Sequence, residues 1–141
     1  MLYKDIKKYF KTEAGIEELL EILAEKYFDP IDSIAQQLVS DALPEAKLRE
    51  TKTRLSGMVG SLNIAYSNAL SLKKQKEYRY VVEHRTEGSA AYLEKASKDF
   101  VLVFRDIRDT VCGYIKCAES SLFDCKDRIE KISKEYGNQE K

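Results

Sequence analysis

Cations and tyrosines interleave along Lys73-Lys74-Gln75-Lys76-Glu77-Tyr78-Arg79-Tyr80, and the run closes near His84-Arg85. These residue types suit single-stranded nucleic acid. Ammonium and guanidinium groups displace counterions from phosphates, and aromatic rings give bases a stacking platform. A second cationic group, Lys47, Arg49, Lys52 and Arg54, lies upstream in AKLRETKTRLSG. Lys47 and Arg54 flank Leu48 and Leu55, so these cations edge an apolar stripe. The alternative chemistry is a solvated basic face that pairs with acidic helices of the same or a neighbouring chain. Charge accounting keeps both readings open. Residues 47–86 hold 9 Lys/Arg against 3 Asp/Glu, whereas 1–46 hold 5 against 10 and 87–141 hold 10 against 11. Asymmetry of this kind within a chain of zero net charge points to a polyanion partner.

Other reactive groups point away from catalysis. Asp106 with Asp109, and Asp124 with Asp127, sit at i,i+3 among Arg105, Arg108, Lys126 and Arg128, the pattern of an ion-paired helix surface. Cys112, Cys117 and Cys125 fall at spacings that turn them to different sides of one helix. The one histidine, His84, lies in another segment. No structural zinc site is expected, and an odd number of cysteines on a rod argues for a reducing compartment. There is no phosphate-binding glycine loop, HExxH, CxxC or GxSxG. We therefore expect no enzyme, no cofactor and no metal.

The elements that carry these residues are helices throughout. Two prolines, Pro30 and Pro44, are the only strong breakers in 141 residues, of which 34% are charged. Leu2, Ile6, Tyr9 and Phe10 mark a first short helix. Ile16, Leu19, Leu20, Leu23 and Tyr27 mark a second, capped by Thr12. The third is expected to start at Asp29 as N-cap with Pro30 at its first position, and to bury Ile31, Ile34, Ala35, Leu38 and Ala42. Pro44 ends it and opens the next. From Glu45 a heptad runs through Leu48, Leu55, Leu62 and Ala69, with Met58, Ala65 and Leu72 between them. Gly57 and Gly60 either weaken that helix or let another backbone approach.

The last third alternates steps of four and three. It runs through Leu93, Ser97, Phe100, Phe104, Ile107, Val111, Tyr114, Ala118, Leu122, Cys125, Ile129, Ile132 and Tyr136, with a stutter at 114–118–122. One helix from Ser89 to Tyr136, closed by Gly137, would be on the order of 70 Å long. Its stripe exceeds what the rest of a compact chain can cover, so Phe100, Phe104, Ile107, Val111, Leu122 and Ile129 are expected at a homo-oligomer interface. Thr86-Glu87-Gly88-Ser89 is the favoured turn. The fold class is all-α: short N-terminal helices plus two long amphipathic helices in a helical hairpin or coiled-coil-like bundle. The chain reads as a single domain over 1–141, with short acidic helices in 1–43, a basic long helix in 45–85 and an oligomerisation helix in 89–136. MLYKDIKKYF has no apolar core of a signal peptide, and no stretch is apolar enough to span a membrane.

Lys52-Thr53-Arg54-Leu55, followed by a glycine-containing stretch, resembles the K-x-R-L signature of UvsY-type recombination mediator proteins of tailed phages. Ala91-Tyr92-Leu93, Lys98-Asp99-Phe100 and the stripe that follows are similar to that family's C-terminal half. An insertion separates the two elements here. The resemblance implies a non-enzymatic helical oligomer in the host cytoplasm that binds single-stranded DNA. Such a protein helps load a RecA-class recombinase onto strands covered by single-strand-binding protein. Lys52 and Arg54 would be phosphate contacts, helped by Lys47, Lys73, Lys74, Lys76 and Arg79. The alternative is a small helical adaptor or inhibitor that acts only through protein–protein contacts.

Overall fold

A computed structural model describes residues 3–139; Leu2, expected on the first helix face, lies outside them. The chain folds as α1 (Tyr3–Lys7), a 3-10 turn (Lys8–Lys11), α2 (Glu13–Leu23), a π-helical segment (Ala24–Phe28) and α3 (Asp29–Ser40). Then follow α4 (Glu45–Glu83), α5 (Ala90–Phe100) and α6 (Leu102–Gln139). No strand occurs among the described residues. The fold is all-α, and its two long helices have 39 and 38 residues.

Two compact units divide the chain. The first takes Met1–Ile22 and Asn63–Cys112, the second Leu23–Leu62 and Gly113–Lys141. In the first, Ile6, Phe10, Ile16, Leu19, Ala69, Val101, Ile107 and Val111 are each 3% exposed or less. In the second, Leu23, Ile31, Leu48, Leu55, Leu62, Ala118 and Cys125 are equally dry. Each core is thus built from an N-terminal segment, one stretch of α4 and one stretch of the C-terminal helices.

The heptad of α4 is buried seat by seat, from Leu48 through Leu55, Met58, Leu62, Ala65 and Ala69 to Leu72. Thr51 occupies the seat between Leu48 and Leu55 at 5% exposure, which its hydroxyl concealed in the sequence. A methyl group at Gly57 or Gly60 would meet nothing within 4 Å, so neither glycine serves a close backbone approach. Gly15 is the one that does: a Cβ there would sit 2.5 Å from the Tyr9 carbonyl oxygen. Thr12 caps α2 as expected, its Oγ1 accepting from the Gly15 N–H at 3.0 Å. Ser89 caps α5 in the same way, accepting from the Tyr92 N–H at 3.2 Å, which places the turn at residues 84–89.

Three expectations are corrected. Asp29 is not an N-cap; it has helical angles (φ −63°, ψ −45°), and its N–H bonds the Ala24 carbonyl five residues back. A proline inside a helix lacks an N–H and crowds the carbonyl four residues earlier. The wider π turn immediately before Pro30 accommodates both effects without ending the helical run. Gly137 does not close α6, which continues to Gln139. The C-terminal rod is not one helix either. It breaks at Val101 (φ −101°, ψ 13°), whose N–H reaches Ser97 O at 3.3 Å, and α6 restarts in a new register. Val101 therefore takes the core seat, fully buried, and leaves Phe100 53% exposed. Two heptads on, Ile115 fills the seat assigned to Tyr114, so the stutter falls at 107–111–115.

Most residues expected at an assembly interface are covered within one copy. Phe104, Ile107, Val111 and Ile129 are 8% exposed or less within one copy, and Leu122 is half-buried. Of the six residues assigned to an oligomer interface, Phe100 alone is well exposed.

Candidate nucleic-acid interface

The basic residues of α4 fall into both units. Lys47, Arg49, Lys52 and Arg54 belong to the second, Lys73, Lys74, Lys76 and Arg79 to the first. Their surroundings differ. Arg49 donates from Nε (3.1 Å) and Nη2 (2.8 Å) to Glu45 one turn earlier, and Lys47 lies 4.0 Å from Glu50. Arg54 is exposed and Lys52 half-buried, with no ion pair for either among the described residues. This stretch is therefore a helix surface whose first cations are already neutralised by their own turn.

In the first unit, Lys73 departs from expectation. It is 6% exposed, and its Nζ sits 2.7 Å from Glu77 Oε1, so its ammonium serves the packing seam and does not face a ligand. Lys76 lies with its Nζ 4.9 Å over the Phe104 ring. Burial, and then the neighbouring Arg79 guanidinium, hold its ammonium below the usual lysine pKa. Lys74 and Arg79 are exposed, and Tyr78, one turn after Lys74, is 72% exposed. Lys74, Tyr78 and Val82 follow at four-residue spacing, so cation and ring share one face of α4.

Two clefts adjoin this stretch. Lys7, Lys11, Lys76 and Arg79 line one of about 110 Å³, with Phe10 and Leu72 beside them. Tyr80, Glu83, His84 and Phe100 line another of about 320 Å³, to which Lys76 and Arg79 also contribute. The Phe10 and Phe104 rings stack at 5.4 Å, His84 stacks on Tyr80 at 4.1 Å, and Phe100 tilts against Tyr80 at 4.9 Å. His84 Nδ1–H donates to the Tyr80 carbonyl at 2.9 Å, leaving Nε2 as the ring's other polar atom. Sequence reasoning missed Lys7 and Lys11 because the acidic α2 and α3 outweighed them. The signal was local: Lys4, Lys7, Lys8 and Lys11 against Asp5 within Tyr3–Lys11.

The acidic pairs behave as a surface. Asp109 meets Arg108 at 2.9 Å, Asp124 meets Arg128 at 3.1 Å, and Asp127 meets Lys131 at 3.0 Å. Arg128 also donates to the Leu38 and Asp41 carbonyls, which closes the C-terminal end of α3. Tyr114 O–H donates to Asp32 Oδ2 at 2.9 Å, and its ring stacks on Phe28 at 4.2 Å. That hydrogen bond, then burial, raises the Tyr114 phenol pKa. Burial likewise pushes the Cys117 and Cys125 thiols up, away from the reactive thiolate. Among the described residues no three His, Cys, Asp or Glu are grouped to hold a metal ion, and no helix is long and apolar enough to cross a membrane.

No protein-family model, curated protein or solved structure matches this chain.

Proposed function

We propose that the protein is a non-enzymatic, single-stranded-DNA-binding module whose strand contacts lie on α4. One observation carries this reading: Tyr78 presents an exposed ring beside exposed Lys74 and Arg79 on the same stretch of helix. A ring in solvent costs contact with water unless something stacks on it, and unpaired cations next to it supply phosphate attraction without base preference. Arg54 and the half-buried Lys52 add a second cationic patch on the same helix. The resemblance to UvsY-type mediators extends the role to loading a RecA-class recombinase onto strands covered by single-strand-binding protein. The test is a binding titration with a long single strand and with duplex of equal length. The reading requires tighter binding to the single strand and a loss of that preference in Tyr78→Ala; equal binding to both forms, or none, contradicts it.

A second reading has its own observation. In the second unit Val39 (89% exposed) and Phe123 (72%) line a cleft of about 520 Å³ with Ala35, Leu38 and Cys117. Exposed apolar side chains gathered at one cleft favour a protein contact, as an adaptor or inhibitor would use. Strand binding separates the two readings.

A further inference from the structure

Four cations from two distant segments converge on the smaller cleft of the first unit. Lys7 and Lys11 stand one turn apart where α1 passes into its 3-10 turn, and Lys76 and Arg79 lie on α4. Among the described residues no carboxylate lines the cleft and none of the four is ion-paired. Like charges gathered in a chain of zero net charge repel one another, so the arrangement is a standing cost unless an anion fills it. Lys76 shows that cost directly: its ammonium is partly desolvated, crowded by Arg79 and held over the Phe104 ring. The cleft's 110 Å³ is several times the ~10–15 Å³ that one water needs, room enough for one phosphate group.

The neighbouring cleft supplies the rest of a ligand. It shares Lys76 and Arg79 with the first, and three rings with the Glu83 carboxylate complete its lining. Its 320 Å³ and its Tyr80, His84 and Phe100 walls suit a flat base with its sugar. Anionic group and aromatic group one residue-width apart is the layout of a nucleoside phosphate.

We propose that the paired clefts bind a phosphomonoester carried by a nucleoside, either the 5′-phosphorylated end of a single strand or a free nucleotide. The phosphate lies among Lys7, Lys11, Lys76 and Arg79, and the base lies against Tyr80, His84 and Phe100. A phosphomonoester can take two charges where an internal phosphodiester has one, so the site discriminates an end from the middle of a strand. The choice of a nucleotide as ligand rests on the strand-binding reading; the phosphate site rests on the cleft alone.

The experiment compares 5′-phosphorylated with 5′-hydroxyl oligothymidylate by competition titration, and thymidine 5′-monophosphate with thymidine by calorimetry, on the full chain. The phosphorylated member of at least one pair binds about tenfold more tightly or better, the scale of one or two charge-assisted hydrogen bonds. Preference in the oligonucleotide pair identifies a strand end, and preference in the mononucleotide pair alone identifies a free nucleotide. Lys7→Ala with Lys11→Ala abolishes the preference, as does Arg79→Gln. Lys4→Ala with Lys8→Ala removes the same charge from the same segment, outside the cleft, and keeps it. Absence of a preference in both pairs, or its equal loss in the two lysine double variants, overturns the proposal. A 5′-hydroxyl strand that does not bind at all sinks the strand-binding reading, while a surviving preference for the monophosphate leaves the cleft assignment standing.

Discussion

Near its N-terminal end α4 carries Arg49 clasped by Glu45 and Lys47 beside Glu50, whereas near its C-terminal end it carries Lys76 and Arg79 lining one cleft with Lys7 and Lys11. The two stretches read alike in the sequence, as cations at helical spacing beside an apolar seam. Their chemistry is set by what lies three or four residues away, and by what the fold brings from elsewhere. An exposed cation already paired with an acid on its own turn is worth little to a ligand. A cation that meets other cations across a cleft keeps its field for an incoming anion.

That contrast should survive changes to the seam beneath it. Leu55→Ala and Leu72→Ala each remove a buried side chain, at 0% and 5% exposure, and each should cost about 2–5 kcal/mol in denaturant unfolding. Losses below about 1 kcal/mol at either position would mean that the seam is not packed as described.

The ion pairs give the sharpest comparison. Glu77→Gln strands the nearly buried Lys73 ammonium and should cost about 3 kcal/mol. Glu45→Gln frees the exposed Arg49 and should cost less than about 1 kcal/mol. Equal effects would erase the distinction between the two stretches. Between them, Gly57→Ala and Gly60→Ala should each stabilise the helix by up to ~1 kcal/mol, because the added methyl meets open space.

The smallest effect is one of pH. Lys76 has its folded pKa depressed, so over the interval between that value and 10.5 the unfolded chain holds more proton than the folded one. Stability conferred at this site should therefore rise with pH across that interval. The groups around the ammonium are Lys7, Lys11 and Arg79 in one cleft, with Arg79, Tyr80, Glu83 and His84 in the other. Lys76→Met keeps all of these, so subtracting its stability–pH curve from the parent's isolates Lys76. A flat difference would contradict the crowded-cation description.

The helical architecture was legible because apolar residues recur at steps of three and four, and the burial of Leu48 through Leu72 follows that pattern. Register failed where two adjacent residues could each fill a seat. Phe100 and Val101 compete, as do Tyr114 and Ile115, and periodicity cannot choose between neighbours when a helix break shifts the phase. Asp29-Pro30 carried every local mark of a helix start, and only the π turn before it, invisible to propensity, reveals a continuation. Lys52, Arg54, Lys74 and Arg79 could be picked from the sequence as cations. The convergence of Lys7 and Lys11 with α4 could not, since it depends on packing between segments more than sixty residues apart.

Strand binding as a function of salt tests the central claim most directly, with the parent chain set against Lys74→Ala with Arg79→Ala and against Lys52→Ala with Arg54→Ala. Phosphate neutralisation predicts a log–log slope of about −0.7 per contact on a single strand, so each lost contact should flatten it by that amount. The Lys74/Arg79 pair should flatten the slope at least as much as the Lys52/Arg54 pair, with both variants keeping the parent's melting temperature. A parent chain that shows no binding to a long single strand at roughly 50 mM salt, where phosphate contacts are strongest, would contradict the account.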